Sequence, residues 1–64
     1  MTATIEEEML LTTSDLAKRW QVSAKHVAEL RQRGEGPLVL RFGRHVRYRL
    51  AEVVEWESRR LAAP

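Results

Sequence analysis

The sequence predicts a mainly α-helical domain in which three helices carry one small two-stranded β-hairpin. Three observations predict it. Helix-start signals at Thr12 and Ser23 each stand before a short amphipathic stretch, Gly43-Arg44 separates two runs of alternating character, and LAEVVEWESRRL returns to helical spacing.

Residues 1–9, MTATIEEEM, have no periodicity and hold a like-charge run, so a flexible acidic tail is expected there, with the folded domain over 10–62. In LLTTSDLAKRW, Thr12 is placed to accept from the Asp15 amide while the Asp15 carboxylate reaches back, a capping box with Asp in place of the more usual Glu. Leu16 and Trp20 then share a face, with Ala17 beside them and Lys18 and Arg19 pointing elsewhere, which gives a helix over 13–20. Gln21 and Val22 interrupt the pattern, and Ser23 is a second N-cap for a helix over 24–33. In that helix Val27 and Leu30 form the apolar edge, Arg31 and Arg33 sit in the last turn, and Gly34 ends it. Two short helices joined by so tight a turn, with Val22 filling the angle between them, form a helix-turn-helix.

Pro37 lacks an amide and biases Gly36 away from the helical region, so EGP ends helical structure. In LVLRFGRHVRYRL, Gly43-Arg44 reads as a two-residue type II′ turn between strands over 38–42 and 45–49. Leu40, Phe42, Val46 and Tyr48 are expected to face the helices, leaving Arg41, Arg44, Arg47 and Arg49 outside or at the tip. A lone hairpin is unstable in water, so its apolar side must rest on the helices. The third helix is expected over 51–61, with Leu50, Val53, Val54, Trp56 or its neighbour Glu57, and Leu61 around the buried side. Its cap is weak because Ala51 stands where Ser, Thr or Asp usually starts a helix. Trp20 and Trp56 suit stacking on the bases of a single strand or burial in the core, and helical spacing with Leu16 and Val53 favours the core.

Composition narrows the functional classes. A chain of 64 residues has room for one small core, and with no cysteine it has neither disulfide nor cysteine-ligated metal; its two histidines make a poor zinc set. No metal, cofactor or small-molecule substrate is expected. No apolar run approaches the roughly 20 residues that span a bilayer, and the N-terminus is acidic where a signal peptide is basic, so a cytoplasmic protein is expected. The net charge of +2 is unevenly spread: residues 9–50 carry nine Lys/Arg against three acids. Such a block favours a polyanionic partner, although a solvated basic surface has the same composition. Paired carboxylates, a phosphate-binding glycine loop and a nucleophile–base pair are all missing from the sequence, so an enzyme is not expected.

From Leu11 to Trp56 the chain resembles the small MerR-like winged helix-turn-helix proteins, the group that includes phage excisionases (recombination directionality factors) and AlpA-type regulators. The resemblance is carried by LTTSDLAKRW, VSAKHVAELRQRGEGP and, most specifically, GRHVRYRLAEVVEW. No ligand-sensing or long dimerisation helix follows as in full MerR regulators, and the lean build is most similar to an excisionase. The resemblance implies a winged helix-turn-helix whose second helix enters the major groove of double-stranded DNA, with the hairpin as a wing at the adjacent minor groove or backbone. It also implies binding to direct repeats, DNA bending and assistance to an integrase in prophage excision.

On that expectation the recognition helix offers Ser23, Ala24, Lys25, His26, Ala28 and Glu29 in its first turns and Arg31 and Arg33 in its last. Ser23 is primarily a cap. Lys25 suits a guanine edge, a phosphate or plain solvent, Ala28 suits a thymine methyl or plain helix, and Glu29 suits cytosine N4 or an i+4 pair with Arg33. His26 is a phosphate contact or an exposed ring. The wing offers Arg41, Gly43, Arg44, His45, Arg47 and Arg49, with Arg44 and Arg47 best placed for a narrow minor groove. Thr13 and Arg19 form a weaker set on the first helix. A helix of about ten residues reads few base pairs, and no heptad seam favours a free dimer, so cooperative self-association on DNA is expected. The alternatives are a transcriptional regulator and an adaptor whose basic wing meets an acidic protein.

Overall fold

The computed structural model describes residues 9–61; the expected tail over 1–8 and the last expected domain residue, Ala62, lie outside the described residues. The elements are β1 (Leu10–Leu11), α1 (Thr13–Trp20), α2 (Ala24–Gln32), β2 (Val39–Phe42), β3 (His45–Arg49) and α3 (Leu50–Arg60).

Local chemistry sets the helix ends. The Thr12 hydroxyl accepts from the Asp15 amide at 2.9 Å and the Asp15 carboxylate accepts from the Thr12 amide at 3.0 Å, completing the capping box. α1 closes on Gln21 in the left-handed region (φ 59°), where the Val22 amide donates to the Ala17 carbonyl and the Gln21 amide to the Lys18 carbonyl. This pair of bonds reverses the chain within three residues before Ser23, whose hydroxyl caps α2 by accepting from the His26 amide. α2 ends the same way at Gly34 (φ 75°), with the Glu35 amide on the Leu30 carbonyl. Val22 does not fill the angle between the helices; it is 39% exposed, because its backbone and not its side chain makes the turn.

The sheet has three antiparallel strands in the order β1-β3-β2, one more than the hairpin alone. β1 pairs Leu10 with Arg49 and Leu11 with Tyr48. Two residues carry no periodicity, so this strand is defined by its partner. Met9, expected in the tail, has a structural role: its carbonyl accepts from the Leu50 amide at 2.9 Å. α3, which has no side-chain cap, thereby gains a backbone one.

The hairpin turn is as expected, with positive φ at Gly43 (61°) and not at Arg44, the pattern of a type II′ turn. The assignment of faces is corrected. A two-residue turn forces Phe42 opposite His45, hence Leu40 opposite Arg47, Arg41 opposite Val46 and Val39 opposite Tyr48. Cross-strand partners share a face. Leu40 and Phe42 therefore lie with His45, Arg47 and Arg49 on the face away from Tyr48, and Phe42 is 53% exposed. The inner face consists of Leu11, Val39, Val46 and Tyr48, with Arg41 at its tip end. Leu11, Val39 and Val46 pack with Trp20 and Leu50 around the buried set Leu16, Ala17, Val27, Tyr48 and Val53.

Two further expectations on burial are corrected. Val54 and Leu61 are exposed, since α3 turns only the side bearing Leu50, Val53 and Trp56 toward the sheet and α1. Trp20 and Trp56 are half-buried and stack on each other at the α1/α3 junction, ring centroids 5.0 Å apart. An indole N–H needs a partner, and here Trp20 Nε1 donates to Glu57 at 2.7 Å.

Candidate nucleic-acid interface

Val27, 1% exposed, anchors α2 to the core and turns the start of the helix outward. Ser23, Ala24, Lys25, His26 and Glu29 are exposed and Ala28 is half-buried. The Ser23 hydroxyl is occupied as the cap, and Lys25, His26 and Glu29 have no side-chain partner among the described residues. Glu29 does not pair with Arg33, which instead lies 3.5 Å from Glu35, both of them well exposed.

On the hairpin Arg41, Gly43, Arg44, His45 and Arg49 are exposed. Arg47 is half-buried; its Nη1 donates to the Val46 carbonyl at 2.8 Å, and its charge contributes to the field at Asp15. The Asp15 carboxyl is held below its usual range chiefly by the bond from the Thr12 amide and then by the Thr12 hydroxyl, so the capping box stays ionised at neutral pH.

The remaining residues expected at the interface are engaged inside the protein. Arg19 makes a two-pronged contact with Glu57, Nε to Oε2 at 2.7 Å and Nη2 to Oε1 at 2.8 Å. With the Trp20 indole on the same carboxylate, Glu57 is lowered, first by Arg19, against a smaller opposing effect of burial. Arg31 Nη1 donates to Thr13 Oγ1 and to Tyr48 Oη, both at 3.1 Å, which occupies two of the expected residues at once. On α3 Arg59 pairs with Glu55 one turn away, and the Arg60 guanidinium lies 4.7 Å from the centre of the Trp56 ring.

The basic residues thus divide in two. Arg19, Arg31, Arg33, Arg47, Arg59 and Arg60 have partners inside the fold, while Lys18, Lys25, Arg41, Arg44 and Arg49 form no ion pair or side-chain hydrogen bond among the described residues. Lys18 is the free cation that sequence reasoning left out of the site, although its position opposite Leu16 on α1 was signal enough that it faces solvent.

Among the described residues no three His, Asp or Glu side chains gather in a group able to hold a metal, and no helix is long and apolar enough to cross a membrane. Two helices in a tight turn, followed by a sheet whose hairpin carries exposed arginines, define a winged helix-turn-helix, a DNA-binding class. Residues 10–60 match the helix-turn-helix domain family, and the chain belongs to that family. It is a DNA-binding helix-turn-helix protein, and its partner is double-stranded DNA. No curated protein matches the chain.

Proposed function

We propose that the protein binds duplex DNA with the first turns of α2 in the major groove and the tip of the β2–β3 hairpin against the neighbouring minor groove or backbone. Lys25, His26, Ala28 and Glu29 face base edges and phosphates, and Arg44 and His45 at the hairpin tip face the backbone, with Arg41 on the opposite face of the tip and Arg47 and Arg49 farther back along β3 at the margin. The observation that supports this reading is the division of the basic residues. Four of the five cations without a partner among the described residues lie on the start of α2 or on the hairpin. Charged side chains left unpaired on two successive elements of this fold suit a polyanion.

The role we assign is that of an accessory factor in site-specific recombination, of the excisionase kind. α2, nine residues and about 13 Å long, reaches only a few base pairs. Specificity then comes from several copies on direct repeats, and contacts in successive grooves favour the curved DNA an integrase needs. The test is titration of a duplex carrying repeats selected by the protein, followed by gel mobility and by sedimentation of the free protein. Cooperative binding by a free monomer with bending is expected. A stable free dimer seated once on an unbent palindrome would replace this role with that of a transcriptional repressor, and binding indifferent to salt would remove DNA as the partner.

A further inference from the structure

Three elements meet at one guanidinium. Arg31, in the last turn of α2, is half-buried, and its Nη1 bonds to Thr13 Oγ1 on α1 and to Tyr48 Oη on β3. Tyr48 is 1% exposed, and Arg31 is the partner of its hydroxyl; among the described residues no buried side-chain N or O atom lacks a partner. Among the closely packed pairs of elements, α2 appears with α1 and not with β3. What α2 otherwise shares with β3 is the apolar cluster around Val27 and Tyr48, and such contact is non-directional. A charge-assisted hydrogen bond has direction, and this one ties the helix to the strand that carries His45 and Arg47.

We propose that Arg31 is a positioning residue: through Tyr48 Oη it fixes the angle between the reading helix and the hairpin, and it does not serve as a DNA contact. The proposal rests on the DNA-binding reading above. It differs from the sequence expectation, which counts Arg31 among the DNA-facing residues that the end of the helix offers. Removing a phosphate ligand weakens binding to every duplex and makes the salt dependence shallower. Loosening the angle between two correctly charged elements weakens the one duplex that needs both in register.

The test compares wild type, Arg31→Met, Tyr48→Phe and the double variant, well below their melting temperatures. Two duplexes serve as probes: one enriched from a random pool by the wild-type protein, and one of mixed sequence. Tyr48→Phe keeps the core ring and removes only the acceptor. Each single variant is expected to lose about three- to tenfold in affinity for the enriched duplex, with the double variant no worse than either. Affinity for the mixed duplex and its salt slope should stay at the wild-type values. A mixed-duplex slope shallower by about 0.9 in Arg31→Met alone, with Tyr48→Phe at wild-type affinity, would make Arg31 a phosphate ligand and overturn the proposal. So would additive losses, or variants that melt lower yet bind both duplexes normally. Residual dipolar couplings on the free protein supply a readout independent of DNA. The orientation of α2 relative to β2–β3 should change in Tyr48→Phe. If wild type binds neither duplex, the functional reading fails, and an unchanged orientation then overturns the positioning role separately.

Discussion

Glu57 is the residue whose removal should best expose how α1 and α3 are held together. Its carboxylate accepts from Arg19 Nε, Arg19 Nη2 and Trp20 Nε1 at 2.7 to 2.8 Å, across a separation of 37 to 38 residues. The Arg19 side chain is 40% exposed and that of Glu57 28%, so solvent screens the ion pair and its share is about 1 kcal/mol or less. The bond from the part-buried indole adds about 1 kcal/mol. Glu57→Ala should therefore cost about 2 kcal/mol and lower the melting temperature by about 10 °C, since about 1 kcal/mol moves a domain of this size by 4–8 °C. Glu57→Gln, which keeps one carbonyl acceptor, should cost about half as much. The pH dependence supplies the sharper check. Glu57 titrates below the usual 4.5 in the folded state, so its contribution is complete above that value and is lost as the pH falls through the folded-state value. Asp15 is lowered too, and its contribution is also lost in acid, but equally in both proteins. The stability gap between wild type and Glu57→Gln, measured by urea unfolding, should be open at neutral pH and close in acid. A gap of constant size down to about pH 3, or an Ala variant as stable as wild type, would refute the argument.

Three other outcomes follow from the same structure. Arg44→Ala should weaken binding to all duplexes, flatten log K against log salt by about 0.9 and leave the melting temperature unchanged, because its side chain is exposed and has no partner among the described residues; an unchanged slope measured by fluorescence anisotropy removes it from the interface. Gln21→Gly should raise stability by about 1 kcal/mol in denaturant melts, since Gln21 holds φ 59° where a Cβ is penalised and its side chain is exposed. Leu16→Ala empties a fully buried site at a cost of about 2–5 kcal/mol, close to the whole stability of a domain this short, so calorimetry should find no cooperative transition at 37 °C.

Elements whose cause is local were legible in the sequence. Thr12, Asp15, Ser23 and Gly34 make their bonds within a few residues of themselves, and the Gly43-Arg44 turn needs only its own backbone. The faces of the hairpin were not read correctly. In LVLRF every residue but Arg41 is apolar, so hydrophobicity does not distinguish one side from the other and the length of the turn decides the register. β1 was invisible because Leu10 and Leu11 become a strand only by pairing with residues 48 and 49. The candidate site divided in the same way. The exposure of Lys25 and Arg44 follows from helix and turn geometry, whereas the withdrawal of Arg19 and Arg31 depends on Glu57 and Tyr48, distant in the chain and brought close only by the packed core.

That division explains why arginine serves in both roles and what each role demands of it. Arg19 grips Glu57 with two nitrogens of one planar fork, and Arg31 reaches two acceptors on different elements from a single nitrogen. A lysine at either place would keep the charge and lose the geometry, since an ammonium on a flexible stem holds no fixed pair of directions. At Arg41, Arg44 and Arg49 no side chain among the described residues fixes the guanidinium, so a lysine there keeps the positive charge that attracts a phosphate. The net charge of +2 thus understates the field that DNA meets. Glu35, Glu55 and Glu57 are each neutralised by an arginine, and Asp15 closes its capping box, while the free cations stand on the start of α2, on the hairpin and on the outer side of α1. Arg19–Glu57 ties α1 to α3 and Arg31 ties α2 to β3, while on the proposed reading the cations without a partner among the described residues are the ones offered to a phosphate backbone.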